Sequence, residues 1–420
     1  MASSFPAPST RSSGPVVLPF PHLSLQGRAA ILERLCNLLC QEQPPTDIAL
    51  YGLPGAGKTA LACALSRTPQ IRQRFSAGVL WASLGETPDT ERMLAYWRSH
   101  LQAAHASQPS APDDPVPAHS SSDDGQEPPV PGRRFLLIID DVWDVGPALR
   151  FRLGPPGSVH LFTTRSPRLA ARLAPHRILP VPPLEAASAL ELLHLLAPHA
   201  VEQEPALAMR LIEAVGTLPL ALLLVGSYLY EESLHGQPRR IVSAFHHLLD
   251  RPANWFMLSP LSGSSAGLLQ ESLQRSLARL PASTLRLLRS LALFPPQPSS
   301  FSEEAAEAIG QCVSEAIVRD LDYLCDCGLV ECQAARYSLH PVIRAYLRLD
   351  QQADLAAAER HLVDYYASLA RKQLAAGRLP LPIERENFQT ALQLAVQHAL
   401  SEEQYVLQAA LEALANGVSL

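Results

Sequence analysis

The feature that most constrains this chain is a glycine-rich segment, Gly52–Thr59, with the sequence GLPGAGKT. It matches G-x-x-x-x-G-K-[ST], a pattern whose backbone N–H groups curl around the phosphates of a nucleotide. The apolar run Asp47–Tyr51 before the segment predicts a strand, and the residues from Thr59 to about Ser66 predict a helix. A strand, this loop and a helix in that order indicate the phosphate-binding turn of an α/β domain.

Each residue of the loop has an expected part in nucleotide binding. Lys58 would reach the β- and γ-phosphates, and the Thr59 hydroxyl would ligate Mg²⁺. Only two of the 34 Lys and Arg residues are lysines, Lys58 and Lys372, which makes a chance lysine in the loop improbable. The predicted nucleotide-binding residues of this segment are Gly52, Leu53, Pro54, Gly55, Ala56, Gly57, Lys58, Thr59 and Ala60.

A second site signal is the run FLLIID, Phe135–Asp140, which Asp141 follows. A continuous apolar run is typical of a strand buried on both faces of a parallel sheet. A carboxylate at the end of such a strand can complete the Mg²⁺ site that Thr59 begins, which assigns Asp140 to the metal. Asp141 would activate the attacking water and is therefore a predicted catalytic residue, together with Lys58.

A third signal is Arg165, which ends the sequence TTR after a predicted strand at Ser158–Thr163. A guanidinium at a strand end can sense a γ-phosphate through charge-assisted hydrogen bonds, so Arg165 is the third predicted catalytic residue. The lysine-containing N/T-K-x-D element that reads guanine is absent, since neither lysine lies in one. Adenine nucleotides, ATP and ADP, are therefore the expected ligands.

Composition excludes several classes of protein. The 420 residues predict two to four domains, and 47% hydrophobic with 18% charged residues is typical of a globular chain. A net charge of −6 argues against a protein that coats nucleic acid by charge alone. No apolar run approaches the ~18 residues of a membrane span, and no signal peptide is visible. Seven cysteines, an odd number, favour reduced thiols and a cytoplasmic location.

Two further patterns are interpreted as coincidences. Gly263–Gly267 matches the G-x-S-x-G nucleophile elbow, but no buried strand precedes it, so a linker is expected. Cys325, Cys327, Cys332 and His340 could be imagined as a zinc site, but the C-x-C spacing does not fit tetrahedral zinc. Core thiols are the preferred interpretation.

Changes of pattern along the chain divide it into segments. Strands alternating with helices predict a doubly wound domain with a parallel sheet, and the chain then becomes helical, with a short hairpin expected near residues 329–339. A proline-rich stretch without apolar periodicity is predicted to be a disordered insertion. The predicted segments are a disordered tail (1–19), a nucleotide-binding domain (20–165, with the insertion at 105–132), a helical domain (166–255), a third domain (266–350) and a helical segment (351–420).

The ordered set of motifs resembles the NB-ARC family of STAND-class signalling ATPases. The set comprises LQGR, GLPGAGKT, VLWASLG, LLIIDDVWD, FTTR, GTLPLAL and YSLHPVIRAY, over about residues 20–350. This resemblance implies a P-loop NTPase domain followed by a helical domain and a winged-helix domain. The ending is most similar to bacterial members that continue into helical, TPR-like repeats.

The resemblance also implies roles for residues outside the loop. Gly27 and Arg28 would line the base and ribose, and Pro219, with Leu220 beside it, would pack near the adenine. His340 matches the histidine that contacts the β-phosphate of ADP and locks the closed form of the family. Pro341 stands where the family often has Asp, a variation common in bacterial members.

The expected function is that of an ADP/ATP-operated switch that opens on exchange, self-associates, and resets by slow hydrolysis. We expect an unknown protein or ligand trigger, no membrane association and no DNA contact. We expect no effector domain before residue 20 and no complete sensor array after residue 350. Two alternatives stay open: a nucleotide-binding scaffold without turnover, and the ATPase module of a transcription regulator.

Overall fold

A computed structural model describes residues 25–106, 134–234, 236–258, 268–310, 314–349, 355–376 and 378–416. The predicted tail, the insertion beyond residue 106 and the segment Gly263–Gly267 lie outside the described residues. Proximity of Cα atoms divides the chain into two compact units. The first comprises Met1–Gly52 and Lys58–Val181, and the second comprises Leu53–Gly57 and Pro182–Leu420.

The first unit is built on a parallel sheet of five strands. Its strands are β1 (Asp47–Tyr51), β2 (Gly78–Gly85), β3 (Phe135–Val142), β4 (Val159–Thr164) and β5 (Ile178–Pro180). They lie in the order β2-β3-β4-β1-β5, and every neighbouring pair is parallel. The side chains of Phe135–Asp140 are all buried, as a strand covered on both faces requires. The predicted α/β fold with a parallel sheet is therefore confirmed.

Six helices accompany this sheet: α1 (Ala29–Leu39), α2 (Lys58–Arg67), α3 (Pro69–Arg74), α4 (Thr90–Ala106), α5 (Val145–Leu149) and α6 (Pro167–Leu173). Helix α4 continues to Ala106 and so includes the first two residues of the predicted insertion. The sheet also continues past the predicted boundary at residue 165, because β5 pairs with β1 through Ala49–Ile178 and its neighbours.

An irregularity in the pairing of β3 with β4 shapes the carboxyl end of the sheet. Ile139 pairs with Phe162 and Val142 pairs with Thr164, so one extra residue is accommodated on β3 between these pairs. Asp141 lies inside the irregularity and has a φ of 52°, in the left-handed region. Such bulges redirect side chains at strand ends, so Asp141 departs from the regular alternation of side chains along β3.

Four helices in the first part of the second unit each start at a proline. They are α8 (Pro198–Gln203), α9 (Pro205–Val215), α10 (Pro219–Ser233) and α11 (Pro238–Asp250), preceded by α7 (Ala186–Leu196) and followed by a 3₁₀ helix (Pro252–Met257). Proline fits the first helical turn because its φ is already helical and its missing N–H needs no partner there. The helix boundaries are thus set locally by sequence.

A winged-helix arrangement follows, with the order helix, strand, two helices and hairpin, and one further helix lies on each side of it in sequence. Its elements are α12 (Leu268–Ala278), α13 (Ala282–Leu291), β6 (Phe301–Ser302), α14 (Glu303–Gly310), α15 (Ser314–Asp326), β7 (Glu331–Gln333), β8 (Arg336–Ser338) and α16 (Pro341–Leu347). The three strands are antiparallel in the order β6-β8-β7. Ala334 and Ala335 turn the hairpin with φ of 50° and 60°, as a type I′ turn requires at both central positions.

The C-terminal helices are α17 (Ala356–Ala375), α18 (Arg385–Gln397) and α19 (Ser401–Asn416), with a 3₁₀ turn at Pro382–Glu384. A buried carboxylate joins them to the winged helix: Glu384 pairs with Arg336 of β8 at 2.7 Å. Its other oxygen accepts hydrogen bonds from the Tyr366 hydroxyl at 3.0 Å and the Asn387 amide at 2.6 Å. A buried charge is tolerated when it is paired and hydrogen-bonded in this way.

Candidate functional site

The glycine-rich loop leaves β1 through a backbone turn that only glycine can make. Gly52 has a φ of 156°, and a Cβ there would lie 2.4 Å from the carbonyl oxygen of Val181. Gly55 and Gly57 also have positive φ, so the chain curls as an anion-binding nest requires. Within the second unit, the Leu220 N–H donates to the carbonyl of Gly55 at 3.2 Å. The loop therefore has the backbone form that the motif predicts.

Lys58, the first residue of α2, is buried, and its Nζ donates a hydrogen bond to the carbonyl of Gly52 at 2.8 Å. Burial and, to a smaller extent, the positive charge of Arg165 lower the pKa of Lys58 to about 7. The charges of Asp141 and Asp140 act in the opposite direction but do not compensate. An ammonium held at this cost has a strong preference for an added anion such as a phosphate.

Asp140 is the centre of a cluster of hydroxyl groups. Its Oδ1 accepts hydrogen bonds from the Thr59 hydroxyl at 2.9 Å and from the Thr163 hydroxyl at 2.6 Å. Its Oδ2 accepts from the Ser83 hydroxyl at 3.3 Å. Burial raises the pKa of Asp140, and the hydroxyl donors lower it only in part. The cluster brings together residues of α2, β2, β3 and β4 at one edge of the sheet.

These residues fit a magnesium ion. Carboxylate and hydroxyl oxygens are the hard ligands that Mg²⁺ prefers, and Mg²⁺ is usually held by one or two carboxylates plus phosphate oxygens. A buried carboxylate whose pKa is raised gains from a nearby cation. The predicted metal pair, Thr59 and Asp140, is therefore brought together by the fold, with the two oxygens 2.9 Å apart.

Asp141 lies inside the bulge in β3, and the partner of its carboxylate differs from those of Asp140. Its backbone N–H donates to the Thr163 hydroxyl at 2.9 Å, and its carboxylate Oδ1 lies 3.7 Å from Nε of Arg165. The guanidinium of Arg165 also lies over the ring of Trp143, with Cζ 4.5 Å from the ring centre. The three predicted catalytic residues, Lys58, Asp141 and Arg165, are thus in one electrostatic environment.

His340 lies in the second unit, where it caps the N-terminus of α16. Its Nδ1 accepts a hydrogen bond from the Val342 N–H at 3.2 Å, which requires that Nδ1 carry no proton. Burial lowers the pKa of His340 to about 3, so the ring is neutral at physiological pH and its proton is on Nε2. His340 therefore presents an N–H donor and no positive charge.

Gly216 makes room for this ring. It has a φ of 81°, and a Cβ there would lie 2.6 Å from Cε1 and 2.7 Å from Nε2 of His340. Pro219, four residues from the C-terminal end of α9, starts α10, with Leu220 next to it. Gly216 thus borders the ring on one side, and a role of Pro219 and Leu220 near adenine stays a prediction.

Gly27 and Arg28 precede α1 in the first unit. Gly27 has a φ of 69°, and the Arg28 N–H donates to the carbonyl of Leu25 at 3.0 Å, closing a tight turn. The side chain of Arg28 is almost completely buried, and burial lowers its pKa. A role in base or ribose binding stays a prediction for both residues.

Sequence reasoning missed Thr163, Ser83, Trp143 and Gly216 as site residues. Thr163 and Trp143 stand inside motifs that were recognised, TTR and DDVW, but the motifs pointed to their charged members. Ser83 carries no sequence signal, because only the pairing of β2 with β3 brings it opposite Asp140. Gly216 has a signal, since a glycine directly after an amphipathic helix is often a backbone requirement.

Within the described ranges, no group of three or more His, Cys, Asp and Glu side chains is arranged to hold a metal ion. Cys325 is largely buried, and burial raises the pKa of its thiol to about 12. Among the helices that the structure describes, none has the length and apolar character needed to cross a membrane.

Comparison with known proteins identifies a family match and two curated relatives. The model of the NB-ARC domain family matches residues 28–202. Regulatory protein AfsR of Streptomyces griseus is 26% identical over 231 residues, which are 53% of this chain and 23% of that protein. A probable disease resistance protein of Arabidopsis thaliana is 29% identical over 96 residues, 23% of this chain and 10% of that protein. The matches thus span less than a quarter of either curated relative.

Solved structures resemble the chain at low identity. A Walker-type ATPase of Pyrococcus abyssi has a TM-score of 0.46 at 12% identity, covering 77% of this chain and 96% of that one. A STAND protein with a tetratricopeptide repeat sensor from Pyrococcus horikoshii has a TM-score of 0.30 at 16% identity, covering 88% of this chain and 47% of that one.

Proposed function

From the match of residues 28–202 to the NB-ARC domain family, we propose that the chain is a nucleotide-operated switch. In this proposal the protein holds ADP in a closed state, exchanges it for ATP with Mg²⁺, opens and self-associates. The observation that carries the proposal is the cluster of Thr59, Thr163 and Asp140 beside Lys58, all at the carboxyl edge of a parallel sheet. Nucleotides bind at this edge in open α/β sheets.

Thr59 and Asp140 would hold Mg²⁺, which supplies charge neutralisation at the phosphate oxygens. Lys58 would exchange its hydrogen bond to Gly52 for the β- and γ-phosphates, which replaces a neutral acceptor by a charged one. The backbone of Gly52–Gly57 would cradle the phosphates. Each step relieves a cost that the structure carries without phosphate: a buried ammonium and a buried carboxylate.

Turnover would depend on Asp141 and Arg165. Asp141 would orient and deprotonate the attacking water, and Arg165 would stabilise the charge that develops on the terminal phosphate. The partners of the two carboxylates support this division of labour, because Asp140 accepts from Thr59 whereas Asp141 lies beside Arg165. We expect turnover to be slow, since a switch needs long-lived states.

His340 would act as the lock of the ADP-bound state. Its neutral ring offers an Nε2–H donor, which can bind a β-phosphate oxygen by a hydrogen bond without adding charge. A hydrogen bond of this kind is broken more easily than a buried ion pair, which suits a contact that must open on exchange. The trigger of opening, a protein or a small ligand, is part of the proposal without an assigned identity.

The test is to purify the protein, denature it, and identify the released nucleotide by chromatography. Stoichiometric ADP from the wild type, its loss in Lys58→Ala and its retention in Lys372→Ala would support the switch. Lys372→Ala is the matched control, because it removes the chain's other lysine, which lies exposed on α17. Loss of ADP, or its replacement by ATP, in His340→Ala would assign the lock. A wild type that neither carries nucleotide nor binds ATP with Mg²⁺ would refute the proposal.

A scaffold that binds nucleotide without turnover is separated from the switch by Asp141→Asn. This variant keeps the size of the side chain but cannot accept the proton of water. Under the switch proposal it binds ATP as the wild type does, loses hydrolysis, and becomes trapped in the self-associated form. A scaffold would be unaffected in assembly by the same change. Size-exclusion chromatography with light scattering distinguishes the two.

A transcription-regulating ATPase is less well supported by the winged helix. In a helix-turn-helix the second helix enters the major groove of DNA. That helix here is α15, which carries four acidic residues and one basic residue, Arg319. The acidic residues are Glu315, Asp320, Asp322 and Asp326. Because DNA is polyanionic, we propose that α15 does not bind it. We expect no retention of the protein on DNA at low or at high salt concentration.

A further inference from the structure

The contacts of Arg165 include two of different kinds. Its Nε lies 3.7 Å from the Asp141 carboxylate, too far for a good hydrogen bond, and its guanidinium lies over the Trp143 ring at 4.5 Å. The side chain of Arg165 is 15% exposed, so both contacts operate in a partly desolvated environment. A cation–π contact strengthens as water is excluded from it.

The stacking contact controls orientation. The N–H groups of a guanidinium lie in its plane, and an aromatic ring covers the face. A ring in contact with the face therefore fixes the plane while the in-plane N–H groups serve other acceptors. The Asp141 carboxylate constrains Arg165 from another direction, but it is itself the predicted base and must be available to water.

Trp143 differs from the tryptophans that serve the core of the same unit. Trp81 and Trp97 are buried, and Trp97 packs edge-on against Phe151. Trp143 is only half-buried and follows Asp141 by two residues, just beyond the end of β3. Its position at the edge of the site, over a cation, is not required by packing of the core.

We propose that Trp143 is a positioning residue that holds the Arg165 guanidinium in the orientation needed to meet the terminal phosphate of a nucleoside triphosphate. The inference rests on the proposed function of the site. Its specific consequence is that Trp143 matters for the triphosphate and not for the diphosphate, because only the triphosphate presents the terminal group. In this role Trp143 acts through Arg165.

The test compares single-turnover ATP hydrolysis and ADP affinity in Trp143→Phe, Trp143→Leu, Arg165→Ala and the double variant Trp143→Leu with Arg165→Ala. Trp143→Leu should slow hydrolysis by about 3- to 30-fold, the range of a desolvated cation–π contact, with ADP affinity within twofold of the wild type. The hydrolysis rate of Trp143→Phe should lie between those of the wild type and Trp143→Leu, because phenylalanine makes a weaker cation–π contact than tryptophan. In the Arg165→Ala background, Trp143→Leu should have no further effect.

The double-variant cycle separates positioning from a structural role. If the losses from Trp143→Leu and Arg165→Ala add, or if ADP binding falls together with ATP hydrolysis, Trp143 supports the fold and the inference is wrong. Should Trp143→Leu not fold, the Phe variant and its Arg165→Ala double carry the same comparison. Failure of the wild type to bind any nucleotide would instead refute the proposed function itself, a result the ADP measurement reports independently.

A second readout is tryptophan emission. Binding of a non-hydrolysable triphosphate should change the Trp143 emission, measured as the difference between wild type and Trp143→Phe, because the terminal phosphate places negative charge beside the guanidinium that lies over the ring. ADP with Mg²⁺ should produce less than a quarter of that change. Equal changes with the two nucleotides would overturn the assignment to the terminal phosphate.

Discussion

Replacement of Thr163 by valine gives the most direct test of the carboxylate cluster. Valine has nearly the shape of threonine, so the change removes a hydroxyl and little else. That hydroxyl donates to Asp140 at 2.6 Å and accepts from the Asp141 N–H at 2.9 Å. The change therefore frees the metal-binding carboxylate on one side and leaves a backbone donor without its acceptor.

The two losses have separate magnitudes. A hydrogen bond to a charged group contributes about 1.5–3 kcal/mol, and removing a partner that orients a metal ligand typically costs about 10- to 100-fold in metal affinity. We therefore expect the Mg²⁺ concentration that half-saturates ATP hydrolysis to rise about 10- to 100-fold in Thr163→Val. The orphaned Asp141 N–H costs a further ~1–3 kcal/mol, which should appear in the free energy of unfolding.

Thr164→Val is the matched control. Thr164 is equally buried, and its hydroxyl donates to the carbonyl of Val142 at 2.8 Å and not to a carboxylate. It should lower the free energy of unfolding by about 0.5–1.5 kcal/mol and leave the half-saturating Mg²⁺ concentration unchanged. The assay is steady-state phosphate release across a Mg²⁺ titration. If Thr163→Val stays within twofold of the wild type, Thr163 does not orient the metal site and the reasoning fails.

Three further predictions concern the second unit. The pKa of His340 is about 3 in the folded chain and ~6.5 in the unfolded chain, so between these values only the unfolded chain binds the extra proton. The contribution of His340 to the free energy of unfolding therefore rises with pH up to about 6.5 and is constant above it. His340→Asn keeps a cap acceptor, and urea titrations from pH 4 to 8 should show a pH slope smaller by about one proton. Gly216→Ala should destabilise by about 2–5 kcal/mol, from positive φ and the 2.6 Å approach to His340, whereas an unchanged urea midpoint would contradict the geometry. Glu384→Ala should cost about 3–5 kcal/mol by leaving Arg336 unpaired, and double removal with Arg336→Met should recover part of it.

Some of the fold was predictable because its signals are local. The strand at Phe135–Asp140 and the turn at Gly52–Thr59 are written in consecutive residues, and the structure confirms the parallel sheet they imply. The start of the predicted insertion was placed two residues too early, because the composition becomes proline-rich only after α4 has continued to Ala106. The hairpin was expected near residues 329–339 and occupies 331–338.

The remainder depends on partners far apart in the chain. Thr163 meets Asp140 across 23 residues, and Ser83 meets it across 57, so strand register decides both contacts. The bulge that contains Asp141 follows from the pairing of β3 with β4. No local sequence pattern encodes that pairing. Motif reasoning therefore found the charged residues of the site and overlooked the hydroxyl groups that orient them.

The scarcity of lysine has a practical consequence for chemistry on this protein. Lys58 and Lys372 are the only side-chain amines in the chain, and the pKa of Lys58, about 7, leaves roughly half of it unprotonated and nucleophilic at neutral pH. Lys372 is exposed on α17 and behaves as an internal standard for reagent dose. The ratio of acylation at these two positions, read by mass spectrometry of peptides, is then a covalent footprint of the phosphate-binding loop.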